Sequence, residues 1–340
     1  AVVVVAGTAS GAGAINIHRA TGSTTALTAA SISALVSSVS VAFGAPYGTA
    51  SITDFSTPER VWWANSKTIC ARYRVAAPTP GSTALEAVID IHAWSDRALV
   101  EVVVENGKFN ATTSTTSTKP AAATYTGATV SVNGGAAIAT VNSSGAAEGS
   151  HGAFRAWYAS TWVGAGSPGL RVTQAVAELQ AHPLFWKCDQ PSSVDYAASG
   201  YGSDAYSPWA TGRHRATSMG AGGDHPSIGP LPKWEAQALQ SGDYRAWNAV
   251  EVSTLAVLSY NVSTRDVSGV VPHSSVMPTK CQASSWQNWP KNMAEPAFEQ
   301  AHQPAAGLMA FIARPSPVYI EIAQKVATWN ATADSTPDYL

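Results

Sequence analysis

Apolar and polar residues alternate along residues 59–190 with the period of two that is typical of half-buried β-strands. The segments that show it are RVWW (60–63), TICARYRVA (68–76), ALEAVIDIHAW (84–94), ALVEVVVENG (98–107), TYTGATVSVNGG (124–135), AFRAWYASTWVG (153–164) and GLRVTQAVAEL (169–179). Asn133-Gly134-Gly135 is a tight-turn signature. Strands about ten residues apart with turns between them predict an antiparallel β-sandwich.

Side chains of one strand are divided between two faces by this alternation. In ARYRVA, Arg72 and Arg74 share one face, and Tyr73 and Val75 share the other. We interpret the arginine face as an exposed face of the sheet. His92 also falls within a strand segment, and we predict a structural role for it.

The regions on either side of the sandwich differ from it in composition. Residues 1–58 are rich in Ala, Ser, Thr and Gly, and VSSVSVAFG (36–44) alternates like a strand, which predicts a small β region. Residues 191–232 are punctuated by Pro, Gly and Ser but carry Tyr and Trp, which a flexible linker does not need. We therefore predict an ordered crossing over 191–232.

The hydrophobic period becomes helical in the last predicted domain, 233–340. Residues 234–262 read as a short helix and a longer one, with Gly242 ending the first and Asp243 capping the second. Residues 296–330 repeat this arrangement, with a helix that ends near Arg314, before Pro315 and Pro317. The segment GGDHPSIGPLPKWEA (222–236) is predicted to be a rigid lead into the first helix, and it would border any site at that end of the helices.

Helical hairpins stack into bundles, solenoids or closed α/α toroids. Two hairpins are too few to close a toroid. We therefore expect the chain to continue beyond Leu340 or to associate with neighbours. The fold class predicted is an antiparallel β-sandwich, with a small N-terminal β region, followed by helical hairpins of an incomplete α/α toroid.

Three segments resemble a group of phage- and prophage-encoded proteins. They are DIHAWSDRALVEVVVENG (90–107), GGDHPSIGPLPKWEAQALQSGDYRAWNAV (222–250) and EQAHQPAAGLMAFIA (299–313), and the resemblance spans residues 55–330. The order of domains is similar to that of exo-acting rhamnogalacturonan-type polysaccharide lyases. The resemblance implies a virion protein (fibre, spike or tail) with a polysaccharide partner.

Composition agrees with a sugar-binding surface and argues against a nucleic-acid partner. Charged residues make up 12 % and the net charge is −2, so the polar surface is largely uncharged. The 12 Trp and 11 Tyr suit sugar rings, although such residues also fill cores. The apolar run AVVVVA is far too short to span a membrane and lacks the basic flank of a signal peptide. Three Cys without a CxxC pair indicate neither a disulfide framework nor a zinc site.

A lyase of uronic-acid polymers needs a group that neutralises the sugar carboxylate, a base and an acid. The candidate catalytic residues are Arg215, His225, Tyr260, His273 and His302. Arg213, His214, Tyr244, Trp286, Trp289 and Gln303 are candidates for substrate binding. We expect the loop 212–232 to bring Arg215 and His225 across a cleft from His273 and His302.

Each candidate also has a structural interpretation. GRHR (212–215) reads equally as a surface turn, and His225 as a residue that caps the helix following Pro232. Glu299 and His302 share a helix face but lack the second motif of a carboxylate metal site, so no metal is predicted. Without a P-loop, a dinucleotide fingerprint or a GxSxG motif, no cofactor is predicted either.

Three functions remain open at this point. The first is a virion protein that recognises a host surface polysaccharide, with its cleavage by β-elimination, and so enzymatic activity, left undecided. The second is a structural virion component, and the third is a secreted bacterial lyase. The Ala/Ser/Thr/Gly-rich start (1–58) and the low charge favour contacts with copies of the chain or with other virion proteins.

Overall fold

A computed structural model describes residues 25–108, 120–143, 151, 154–168, 176–181, 200–201, 203–210, 231–266, 268–271 and 306–333. In these residues two antiparallel sheets come first along the chain and helical hairpins follow. The predicted order of a β part before a helical part is thus confirmed. Within the described ranges, no helix is both long and apolar enough to cross a membrane.

The first sheet has four strands in the order β2-β1-β7-β8. They are β1 (Val39–Ala42), β2 (Thr49–Ile52), β7 (Ala128–Val132) and β8 (Ala137–Val141). Because β1 pairs with both β2 and β7, strands from the predicted regions 1–58 and 59–190 share one sheet. Asn133 (φ 55°) and Gly134 (φ 66°) form the tight turn between β7 and β8, as their sequence predicts.

The second sheet has five strands in the order β3-β4-β5-β6-β9. They are β3 (Arg60–Ala64), β4 (Ile69–Ala76), β5 (Leu85–Ala93), β6 (Arg97–Asn106) and β9 (Ala156–Gly164). Its inner face packs against the first sheet in one apolar core that includes Ile89, Ile91 and Trp157. This arrangement of two packed antiparallel sheets is the sandwich that the alternation predicts.

The outer face of the second sheet is buried as well. Every residue of β5 is buried, although Glu86, Asp90 and His92 alternate with its apolar residues. Helices cover this face, so the sheet carries charged groups on a surface that water does not reach. The interpretation of the Arg72 face as exposed is therefore wrong, since Arg72 retains 3 % of its exposure.

The helices follow the sheets as two hairpins. They are α3 (Lys233–Ser241) with α4 (Tyr244–Ala256), and α5 (Leu308–Ala313) with α6 (Pro317–Ala333). Of the two short helices, α1 (Ala29–Ser33) precedes β1, and α2 (Val176–Ala181) follows β9. The strand predicted for GLRVTQAVAEL (169–179) is therefore wrong over residues 176–179, which are helical. Gly242 ends α3 with a φ of 62°, and the side chain of Asp243 caps α4 by accepting from the Arg245 amide. Both features match the prediction. The α/α toroid itself stays a prediction.

Candidate functional site

An open cleft of about 810 Å³ lies between the edge of the second sheet and α6. Strands β3 and β4 contribute Arg60, Trp62, Arg72 and Arg74, and the loop 268–271 closes one side. From α6, Glu321, Gln324 and Thr328 line the cleft, spaced so that they share one helix face. The cleft is concave, with aromatic, cationic and amide groups converging on it, as in many ligand sites.

An irregularity in β3 brings Trp62 to the cleft. The register of β3 against β4 shifts between Val61 and Trp63, as in a β-bulge, so strict alternation fails here. The indole nitrogen of Trp62 donates to Asp90 (3.2 Å), and the ring of Trp63 lies 5.5 Å from that of His92. Two successive tryptophans thus contact residues of the outer face.

Arg72 forms the floor of the cleft and is fully neutralised. Its Nε and Nη2 donate to both oxygens of Asp90, at 2.9 and 2.6 Å, and its Nη1 donates to Glu321. Burial alone would lower the pKa of Arg72, but the carboxylates of Asp90 and Glu321 raise it. Arg72 therefore stays charged, and its guanidinium is held by two carboxylates of the protein.

Arg74 ties the loop 268–271 to the sheet. Its guanidinium donates to Glu59 (2.9 and 3.0 Å), to Glu86 (2.6 Å) and to the carbonyl of Gly269 (3.0 Å). Gly269 has a φ of +83°, and a Cβ there would stand 2.5 Å from Nη1 of Arg74. Only glycine fits this position without displacing the loop or the arginine.

Substitution Gly269→Ala is expected to destabilise the loop by about 1–3 kcal/mol, since both the backbone strain and the contact with Arg74 oppose a side chain. The measurement is amide hydrogen exchange of residues 268–271, which should accelerate. Gly81→Ala, also at positive φ but with no neighbour within 4 Å, is the matched control for backbone strain alone. Equal exchange of residues 268–271 in the two variants would contradict the proposed contact between Arg74 and the loop.

Arg60 differs from the other cleft arginines. Its side chain is exposed, and its guanidinium carbon lies 3.9 Å from the centroid of the Trp62 ring, a cation–π contact. No carboxylate of the described residues pairs with Arg60. It is thus the arginine of this cleft whose donors are available to an anion from solution.

A buried ionic network behind the cleft holds α6 on the sheet. Arg265 donates to Glu105 and to Glu321 (2.6 Å from Nη2 to Oε2), and Lys325 donates to Glu105 (2.9 Å). Burial would raise the pKa of Glu105, but Arg265 and Lys325 lower it to about 2. These charges join β6, α6 and the chain after α4, and so fix the two walls of the cleft relative to each other.

A second buried cluster surrounds Glu101 of β6. Its carboxylate accepts from His92 (2.8 Å), Tyr158 (2.7 Å), Ser316 (2.6 Å) and Arg314 (3.1 Å). Burial would raise the pKa of Glu101, but Arg314 and the hydrogen bonds hold it below its usual range. The carboxylate is saturated with donors and has a structural role.

Cys70, His92 and Glu101 are neighbours of the residue types that form a nucleophile, base and orienting acid, but their geometry excludes that role. The Cys70 sulfur (3.8 Å) and the Glu101 oxygen (2.8 Å) both approach Nε2 of His92, whereas a relay needs both ring nitrogens. Burial raises the pKa of the Cys70 thiol well above its usual value. The buried His92 is structural, as predicted.

Two of the eleven predicted site residues fall within the described residues. Tyr260 is completely buried among the helices, and Tyr244 is half-buried at the start of α4, with the Arg245 guanidinium 5.7 Å from its ring. Neither lines the cleft. The other nine lie outside the described residues, namely Arg213, His214, Arg215, His225, His273, Trp286, Trp289, His302 and Gln303. Their convergence stays a prediction.

The cleft residues were not among the predicted site residues. A signal for them exists in the sequence: Arg60 and Trp62 precede Arg72 and Arg74 in the next strand, and Glu321, Gln324 and Thr328 share a helical face. Their meeting depends on contacts far apart in sequence, which local pattern does not supply.

Comparison with protein-family models, with curated proteins and with solved structures finds no match for this chain. Function is therefore inferred from the residues of the cleft and from its chemistry. Among the described lining residues there is no His or Tyr, and Glu59 and Glu321 are paired with arginines. The described lining groups can form ion pairs and hydrogen bonds with a ligand.

Proposed function

We propose that this protein binds an acidic polysaccharide, with a sugar carboxylate held by Arg60 in the cleft. The observation that carries the proposal is the exposed Arg60 guanidinium over the Trp62 ring in an open cleft of about 810 Å³, where no carboxylate of the described residues pairs with it. A guanidinium pairs with a carboxylate through two parallel hydrogen bonds, which gives both affinity and orientation. The Trp62 ring, with the guanidinium carbons of Arg60 at 3.9 Å and of Arg72 at 4.9 Å from its centroid, positions the Arg60 guanidinium in the cleft.

Other groups of the cleft suit the hydroxyls of a sugar. Gln324 is exposed and presents an amide, and at the facing wall the Ser268 hydroxyl, which donates to Asp266 (2.6 Å), has acceptor capacity. Arg72 and Arg74 are neutralised by carboxylates of the protein. Among the described arginines of the cleft, this leaves Arg60 to pair with the sugar carboxylate. Affinity for a single residue is then modest, and a polymer gains through repeated contacts if the chain assembles as an oligomer.

The remaining parts of the proposal rest on the resemblance to phage proteins and lyases. They are a location on a virion, self-association or contact with other virion proteins, completion of an α/α toroid, and β-elimination of the bound polymer. The cleft supports recognition alone.

Substitution Arg60→Gln is expected to weaken binding of polygalacturonate about 10–100-fold, the loss of one charge-assisted pair. The measurement is isothermal titration calorimetry with polygalacturonate. Lys67→Gln, which removes another exposed cation in the β3–β4 turn, is the matched control and should bind like the wild type. Equal losses in both variants would indicate nonspecific charge attraction. No binding by the wild type to any acidic polysaccharide would favour the structural virion component.

β-Elimination has its own test, the absorbance of the unsaturated uronate during incubation with acidic polysaccharides. A rise that His302→Ala and Arg215→Ala abolish would establish a lyase. A flat trace with retained binding would leave a recognition protein without this activity.

A further inference from the structure

Four half-buried tryptophans distinguish the second sheet from the rest of the described chain. Of the eight tryptophans whose side chains are described, Trp157, Trp209, Trp234 and Trp247 are buried, whereas Trp62, Trp63, Trp94 and Trp162 are half-buried. All of the second group lie in or directly after strands of the second sheet. Partly exposed indoles that are grouped on one element indicate an interaction surface.

Trp94 and Trp162 form an aromatic platform at the end of the sheet opposite the edge strand β3. Their ring centroids are 5.5 Å apart and the rings are inclined by 29°, a stacked arrangement. Trp162 belongs to β9, the other edge strand, and Trp94 opens the turn between β5 and β6. Because stacked rings cover part of each other's faces, the pair offers a ligand its outward ring face and its edges, and each ring holds the other in place.

The platform is held rigidly by the backbone beneath it. In the turn, the Trp94 amide donates to the Arg97 carbonyl (2.8 Å), and the Ala165 amide donates to the Asp96 carbonyl (2.9 Å). Gly164 has a φ of +74°, and a Cβ there would collide with the Asp96 carbonyl, so the turn rests directly on the end of β9. A surface fixed before binding loses little entropy when a ligand settles on it.

An ionised carboxylate lies two residues after Trp94 in the same turn. The side chain of Asp96 is 53 % exposed, and Arg97 donates to both of its oxygens, at 3.0 and 2.7 Å. The hydrogen bond from Arg97 lowers the pKa of Asp96. Each carboxylate oxygen has further acceptor capacity, which suits adjacent hydroxyl groups.

We propose that the platform is a second saccharide-binding site, which takes one pyranose ring against the outward face of the stacked Trp94–Trp162 pair while its adjacent hydroxyls donate to Asp96. The Arg97 cation is already paired with Asp96, so it is not available to a sugar carboxylate. We therefore expect the site to take neutral sugars. A saccharide fits better than an apolar protein segment, since a sugar presents C–H groups to the indoles and hydroxyls to the carboxylate at the same time. The choice of saccharide as ligand class rests on the proposed function, but the binding groups are separate from the cleft.

Affinity electrophoresis in gels that contain galactomannan, hydroxyethyl cellulose or polygalacturonate tests the proposal. The wild type should be retarded in at least one neutral gel, and Trp162→Ala and Trp94→Ala should each weaken that retardation about 5–10-fold in apparent Kd. Trp63→Ala removes an indole of the same sheet outside the platform and is the matched control. Thermal unfolding of all variants shows that each is folded.

The results separate the platform from the cleft. Retardation of Trp162→Ala and Trp94→Ala equal to that of Trp63→Ala in every gel would overturn the platform, and so would the absence of wild-type retardation in both neutral gels. Arg60→Gln should lose retardation in polygalacturonate alone. If Arg60→Gln changes nothing while Trp162→Ala loses neutral binding, the cleft proposal fails and the platform stands.

Discussion

Substitution Arg265→Ala is expected to lower the free energy of unfolding by about 3–5 kcal/mol, the typical effect of removing one partner from a buried ionic network. Arg265 is 1 % exposed and lies between Glu105 and Glu321. Both carboxylates are ionised, and a buried negative charge needs a cation beside it. Without it, Lys325 alone remains beside Glu105. The two carboxylates then stay buried with incomplete compensation, which favours separation of α6 from the sheet.

Urea denaturation followed by circular dichroism measures this effect. Arg97→Ala is the control, because its partner Asp96 is largely exposed and its loss should leave the midpoint almost unchanged. If Arg265→Ala and Arg97→Ala unfold at the same urea concentration, Arg265 does not occupy the buried position between β6 and α6.

Acid is expected to destabilise the fold through His151. This side chain is fully buried, and burial lowers its pKa to about 3. Nε2 donates to the Arg155 carbonyl (2.7 Å), and Nδ1 accepts from the Tyr125 hydroxyl (2.8 Å), so the neutral ring satisfies both neighbours. Protonation would turn Nδ1 from an acceptor into a donor.

The direction of the effect follows from the lowered pKa. The stabilising contribution of neutral His151 is complete above its unfolded pKa, near 6.5, and is lost as the pH falls toward 3. Between pH 7.5 and pH 5 the wild type should lose about 2 kcal/mol relative to His151→Gln, whose amide is neutral throughout. Glu86 and Asp90, whose pKa values burial raises, act in the opposite direction, but they are common to both proteins and cancel in the difference.

Urea titrations of both proteins at several pH values provide the measurement. A constant difference in the free energy of unfolding from pH 7.5 to pH 5 would contradict the burial of neutral His151. Any loss of packing in His151→Gln is the same at every pH, so it does not affect the predicted change with pH.

Local pattern predicts much of this fold. Alternation locates the strands of the second sheet and assigns Arg72 and Arg74 to one face, and Gly242 with Asp243 locates the break between α3 and α4. These features depend on a few neighbouring residues. The bulge at Val61–Trp63 interrupts the alternation and brings both Trp62 and Trp63 into contact with the outer face.

Burial of the arginine face could not be predicted in the same way. Arg72 meets Glu321 across 249 positions, and Arg265 meets Glu105 across 160. A strand with charged residues on one face looks the same whether water or a helix covers that face. For Arg72 the deciding partner on α6 is Glu321, and no local pattern in the sequence identifies it.

The same limit applies to the site. Sequence motifs such as GRHR and AHQP single out residues 212–215 and 301–304, which lie outside the described residues. The described cleft instead combines two strands, a loop and one helix, none of which has a motif of its own. Its free cation, Arg60, becomes distinct only when Arg72 and Arg74 are seen to be paired.

The most direct measurement is a crystal structure of the protein with a galacturonate trisaccharide. The account predicts a sugar carboxylate paired with the Arg60 guanidinium at about 2.7–2.9 Å, with a pyranose ring near Trp62. A trisaccharide bound elsewhere, with Arg60 still resting on Trp62 and the cleft without ligand, would contradict it.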